Sequence, residues 1–183
     1  VATTGYTARL GGRVYRRVMM LSGKQIVEYG IVEPAAPEAV QPASVDLTLC
    51  GEEFLWPERD TLLLPLETPT YTIYSGCPRL ESGDFVLAST VEDVYIPPEF
   101  VGRVEGKSTL ARMGLIVHTT AGFIDPGFRG RITLELKNVG PCALALKPGM
   151  YICQLSVQRM ERIDSVYNGK YQGATGVEGA KIS

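Results

Sequence analysis

Apolar and polar residues alternate with a period of two along much of this chain, in runs too short for amphipathic helices. Arg131-Ile132-Thr133-Leu134-Glu135-Leu136-Lys137 is the clearest run. Successive strand side chains point to opposite faces, so Ile132, Leu134 and Leu136 share one face while Thr133 and Glu135 share the other. Ser44-Val45-Asp46-Leu47-Thr48-Leu49 alternates in the same way, and residues 71–74, 84–89, 103–105, 142–146 and 151–157 also read as strands. Turn residues punctuate them: Ser82-Gly83-Asp84, Pro97-Pro98, Asp125-Pro126-Gly127 and Lys147-Pro148-Gly149. Short strands broken repeatedly by turns predict a mainly β domain, a sandwich or barrel.

One short helix is expected over residues 21–30, with Ser22 as its N-cap and Gly30 as its stop. Pro34, Pro37 and Pro42 then exclude regular helix. Residues 1–18 differ in character from the remainder of the chain: they carry Arg9, Arg13, Arg16 and Arg17, no acidic residue, and Met19-Met20 comes directly after. They are read as a flexible extension or an upstream start. Residues 19–166 form the β domain, and the glycine-rich segment 167–183 is expected to stay loose unless a ligand orders it.

Composition narrows the function. A chain of 183 residues suits one domain with its own core. No apolar run approaches the roughly 18 residues of a membrane helix. Lys plus Arg number 18 against 20 Asp plus Glu, which supplies no basic field for a nucleic-acid backbone. A few local cations can still hold a small phosphorylated ligand. The four cysteines, Cys50, Cys77, Cys142 and Cys153, lie far apart and there is one histidine, His118. That is a poor metal inventory, and the thiols are read as reduced core residues of a cytoplasmic protein. His118, in an apolar-flanked run, is expected to be a satisfied core residue.

Two segments carry the candidate chemistry. Gly106-Lys107-Ser108-Thr109-Leu110-Ala111-Arg112 joins a flexible residue, two cations and two hydroxyls. With Ser108 or Thr109 capping a short helix, it would present free N–H groups to a phosphate, with Lys107 and Arg112 adding charge-assisted bonds. It lacks the Walker spacing. Glu135, presented on a strand and partly desolvated, suits proton transfer. Each segment alone also fits an ordinary surface role, and so does Asp125 in its turn.

Together with Gln41-Pro42-Ala43-Ser44-Val45-Asp46-Leu47, the run from Thr120 to Glu135, Pro148-Gly149-Met150 with Gln154-Leu155, and Tyr167 with Gly169-Lys170-Tyr171-Gln172-Gly173, these segments resemble the signature of the dCTP deaminase and dUTPase superfamily across residues 20–176. The resemblance implies a dUTPase-like distorted β-barrel or jelly roll with a few short helices. It also implies a homotrimer with shared active sites, and Mg²⁺ accompanying the triphosphate. By resemblance, Lys107, Ser108, Thr109, Leu110, Ala111 and Arg112 bind substrate together with Asp125, Thr133, Leu134, Glu135, Gln154, Tyr167, Lys170 and Gln172. Glu135 would take a proton from water attacking C4 of cytosine, Ser108 and Arg112 would position water and carboxylate, and Asp125 would join the catalytic set.

Zinc-dependent cytosine deamination needs H-x-E and P-C-x-x-C motifs. Here His118 precedes Thr119-Thr120, and Pro141-Cys142 precedes Ala143-Leu144-Ala145, so water activation is expected to rest on carboxylate and polar groups. The family pattern is broken at Ala174, where relatives commonly carry Gln, and Gln172 is the residue placed to compensate. Deamination of dCTP to dUTP is the leading expectation. A bifunctional enzyme continuing to dUMP and pyrophosphate with Asp125 as base, a dUTPase alone, and a non-catalytic nucleotide sensor are its alternatives, with dTTP as a candidate inhibitor.

Overall fold

The structure, a computed structural model, describes residues 7–10, 13–16, 19–58, 62, 64 and 67–182. Its strands are β1 (Thr7–Leu10), β2 (Arg13–Arg16), β3 (Val32–Glu33), β4 (Val45–Thr48), β5 (Phe54–Pro57), β6 (Tyr71–Tyr74), β7 (Arg79–Leu80) and β8 (Phe85–Tyr95). They continue as β9 (Phe100–Gly106), β10 (Leu115–Ile116), β11 (Phe123–Ile124), β12 (Arg129–Asn138), β13 (Leu144–Ala145) and β14 (Tyr151–Arg159). The α-helices among the described residues are α1 (Gly23–Glu28) and α2 (Ser108–Arg112). Neither is long and apolar enough to cross a membrane.

A six-stranded sheet runs β10-β12-β8-β5-β6 with β3 added to β8, and a four-stranded sheet runs β11-β9-β14-β4. One buried cluster takes Val86, Ala88, Leu134 and Leu136 from the first and Val45, Leu47, Val104 and Leu155 from the second. The alternation read in β12 is the alternation observed: Ile132, Leu134 and Leu136 are buried, while Arg131, Thr133, Glu135 and Lys137 are half-exposed. Pairing of β12 with β8 slips between Arg131 and Thr133. There Thr90 Oγ1 accepts from Ile132 N at 3.0 Å and donates to Glu92 O at 3.0 Å. The hydroxyl satisfies backbone groups that the bulge takes out of the ladder, just before the strand presents Thr133 and Glu135.

Ser22 caps α1 as expected: its Oγ accepts from Gln25 N, and its own N–H donates to Gln25 Oε1 at 3.0 Å, a reciprocal box. Gly30, at φ 62°, follows the helix. α2 departs from expectation. Its N-cap is Lys107, which makes no side-chain capping bond, so neither Ser108 nor Thr109 caps it. Strands β5 and β7 were not expected from the sequence pattern. Of the thiols, Cys50 and Cys153 are buried, but Cys77 and Cys142 are exposed, so the expectation of four core cysteines fails for two. Desolvation pushes the Cys153 thiol up, away from the reactive thiolate. Of residues 1–18, β1 and β2 pair as an antiparallel hairpin; the remainder of that expectation lies outside the described residues.

Candidate active site

A cavity of about 550 Å³ opens beside the polar face of β12. Thr133 and Glu135 line it from the strand, His118 from the β10–β11 connection, Asp125 from the β11–β12 turn, and Tyr167 and Tyr171 from the C-terminal segment. The Glu135 carboxylate is fixed by backbone: its Oε2 accepts from Thr119 N at 2.8 Å, while its own N–H donates to Val117 O at 3.1 Å. The strand and the segment Val117 to Thr119 thereby set both ends of the side chain.

Asp125 owes its place to the turn after it. Phe128 N donates to Asp125 O at 3.1 Å, and Gly127 takes φ 86°, the left-handed value required at the third position of a type II turn after Pro126. A Cβ on Gly127 would also lie 2.8 Å from Val166 Cβ. Beyond the turn, Tyr167 N donates to Pro126 O, and the Tyr167 ring packs on Phe128 with centroids 5.8 Å apart.

The C-terminal segment runs along this cavity, held to the strands by backbone and side-chain hydrogen bonds. Gly173 N donates to Arg129 O and Arg131 N to Ala174 O, each at 2.8 Å, so residues 173–174 run beside the start of β12. Farther on, Glu178 N donates to Thr133 Oγ1 at 3.0 Å and Ala180 N to Tyr71 OH at 3.0 Å. Gln172 is structurally engaged, its Oε1 accepting from Arg129 N and its Nε2 donating to Gly127 O.

The cationic segment sits elsewhere, at the end of β9 on the four-stranded sheet. None of residues 107–112 lines the cavity, nor do Gln154, Lys170 and Gln172. Lys107 Nζ is ion-paired with Asp46 Oδ2, and Asp46 is 3% exposed. Gln41 Nε2 reaches the same oxygen at 3.2 Å. Gln154 accepts from Ser44 Oγ at 3.0 Å and donates to Gly106 O at 3.3 Å. Arg112 donates to Ser108 O at 3.2 Å, within its own helix, and Lys170 Nζ donates to Lys181 O.

A cavity lined by the Asp125, Glu135 and Glu178 carboxylates and by hydroxyls, with a cation and hydroxyl cluster at the end of β9, fits the parts of a nucleotide site. Residues 20–160 match the family model described as dCTP deaminase-like. The chain belongs to the dCTP deaminase-like family. It is 40% identical to the "dCTP deaminase, dUMP-forming" of Coprothermobacter proteolyticus, over 87% of this chain and 92% of that protein. It is 44% identical to the "dCTP deaminase" of Natronomonas pharaonis, over 78% and 80%. Among solved structures, the 2'-deoxycytidine 5'-triphosphate deaminase of Agrobacterium tumefaciens aligns with a TM-score of 0.62 at 17% identity, covering 79% of this chain and 49% of that one. This chain therefore spans about half the length of that structure, and the likeness is one of fold. The mainly β, dUTPase-like architecture expected from the sequence is the one observed.

In this dCTP deaminase-like chain, Asp125, Thr133, Leu134, Glu135 and Tyr167 are brought to one cavity. Lys107 to Arg112 and Gln154 assemble away from it. The sequence pattern did not place His118, Arg131, Gln41, Ser44 or Asp46 in a site. His118 lines the cavity, and its buried Nδ1 has no hydrogen-bond partner, so it is not the satisfied core residue expected. Asp46 was not legible: the alternation of residues 44–49 puts it on the polar face of its strand, whereas the structure leaves it 3% exposed. Among the described residues, no three His, Cys, Asp or Glu side chains are grouped to hold a metal ion.

Proposed function

We propose that this chain deaminates dCTP to dUTP and ammonia without zinc, in the cytoplasm, through Glu135. The observation that supports this most is the Glu135 carboxylate held in the cavity by the Thr119 amide. Water adds to C4 of cytosine and gives a proton to Glu135, which passes it to N3; the proton of the new C4 hydroxyl then moves through the same carboxylate to the amino nitrogen, which leaves as ammonia as the C4 carbonyl forms and N3 keeps its hydrogen. Ser108 and Arg112 position the water and the carboxylate. Since those residues lie outside the cavity in a single chain, a neighbouring copy in a homotrimer supplies them, together with Lys107 for the phosphates.

Mg²⁺ chelated by the substrate triphosphate would supply charge neutralisation there. Lys107 and Arg112 add cationic contacts, and Tyr167 and Lys170 on the C-terminal segment close over the nucleotide.

A second reading, continuation to dUMP and pyrophosphate, is favoured by Asp125 lining the same cavity as Glu135 and by the dUMP-forming relative. Asp125 would then orient water toward the α-phosphorus. Incubating purified protein with dCTP and with dUTP, and resolving dUTP, dUMP, pyrophosphate and ammonia, separates the two. Glu135→Gln should remove ammonia release while sparing dCTP binding, and wild-type turnover by that variant overturns the deaminase assignment. Asp125→Asn should remove pyrophosphate release alone, and an unchanged rate rules it out as the base.

A further inference from the structure

We infer that Asp46 is the positioning residue of the nucleotide site, fixing the Lys107 ammonium where the triphosphate meets it. The inference rests on the reading of Lys107 as a phosphate ligand and adds what makes that ligand effective.

Lysine is a compact, strongly hydrated charge on a flexible stem, so an unanchored ammonium spends little time at any one point. Lys107 is anchored at both ends. At its base, Gln154 donates to the carbonyl of Gly106 and accepts from Ser44, which ties the peptide before Lys107 to β14 and to the residue preceding β4. At its tip, Nζ meets Asp46 Oδ2 and stands 5.7 Å from the Tyr151 ring centroid. Asp46 lies opposite Gln154 across the β4–β14 pairing, so the two anchors come from one strand pair.

The carboxylate is itself unusual for a merely structural group. It is 3% exposed, its Oδ2 takes both Lys107 and Gln41, and its Oδ1 is buried with no hydrogen-bond partner. A buried carboxylate left half-satisfied is a poor source of stability. Of its two partners Lys107 carries the charge, and it keeps 28% of its side-chain surface. An ammonium has three N–H donors. One held by Asp46 leaves the others for phosphate oxygens, already oriented.

Steady-state kinetics with dCTP on Lys107→Ala, Asp46→Asn and the double variant test this. Asp46→Asn should raise KM by about tenfold with kcat kept within about twofold, the pattern of lost binding shared by ground and transition states. The double variant should be no worse than Lys107→Ala. An unchanged KM in Lys107→Ala sinks the phosphate role of Lys107 itself. A raised KM in Lys107→Ala with a normal KM in Asp46→Asn overturns only the role of Asp46, as does multiplication of the two effects in the double variant. A purely structural Asp46 would lower the melting temperature and leave KM alone. Should Asp46→Asn fail to fold, acylation of the wild-type protein decides by peptide mass spectrometry. Lys107 should label slowly in the free protein, and labelling as fast as Lys24 overturns the inference.

Discussion

The two polar regions of this molecule are built by opposite means. Around Glu135 and Asp125, backbone does the placing: a strand alternation, a bulge closed by Thr90, a Pro126-Gly127 turn and the Thr119 amide. Around Lys107, side chains from distant segments do it, with Asp46, Gln154 and Ser44 converging on one helix start. The first region closes into a cavity within a single chain. The second faces outward from a helix, α2, that has no buried residue. A part that is finished alone and a part that is presented outward are what a site shared between copies requires.

The sharpest way to break that contrast is to separate the halves. Glu135→Gln and Arg112→Ala should each cost about 10²-fold to 10⁴-fold in turnover, the usual weight of a proton-transferring or orienting group. Unfolding and refolding the two together should then restore activity well above either parent, because some mixed sites receive an intact half from each chain. No recovery on mixing means that one chain supplies both halves.

Stability distinguishes the regions next. Leu134 is buried directly behind the cavity face, and Leu134→Ala should cost about 2–5 kcal/mol in denaturant unfolding. Leu110 in α2 is only partly buried within one chain, and the same truncation should cost less than about 2 kcal/mol if nothing else covers it. An equal or larger loss at Leu110, growing with protein concentration, would locate a neighbouring copy on α2.

A smaller effect is expected from Thr90→Val, which keeps the shape but leaves Ile132 N without its acceptor. That should cost about 1–3 kcal/mol and lower kcat more than it raises KM, because the bulge aims the strand that carries Glu135. A stability loss with kinetics untouched would show that the bulge serves the sheet and not the site.

How far the sequence revealed this depends on the range of the signal. The alternation in residues 131–137, the Ser22 cap and the turns at Ser82-Gly83 and Pro126-Gly127 are local, and the structure repeats them closely. Strands β5 and β7 were illegible because Phe54-Leu55-Trp56-Pro57 carries no polar residue to alternate with and Arg79-Leu80 is only two residues long. Their partners are distant in the chain: β5 pairs with β6 and β8, and β7 with β13. Thr133 and Glu135 could be read as sharing a face. The partners of Lys107 and the unsatisfied Nδ1 of His118 could not, since both depend on contacts between segments far apart in the chain.

Residues 178–180 run along the rim of the cavity, with Gly179 so close to the Tyr71 ring that a Cβ would lie 2.8 Å from it. A side chain at position 179 would therefore force this segment away from Tyr71, and with it part of the wall of the cavity.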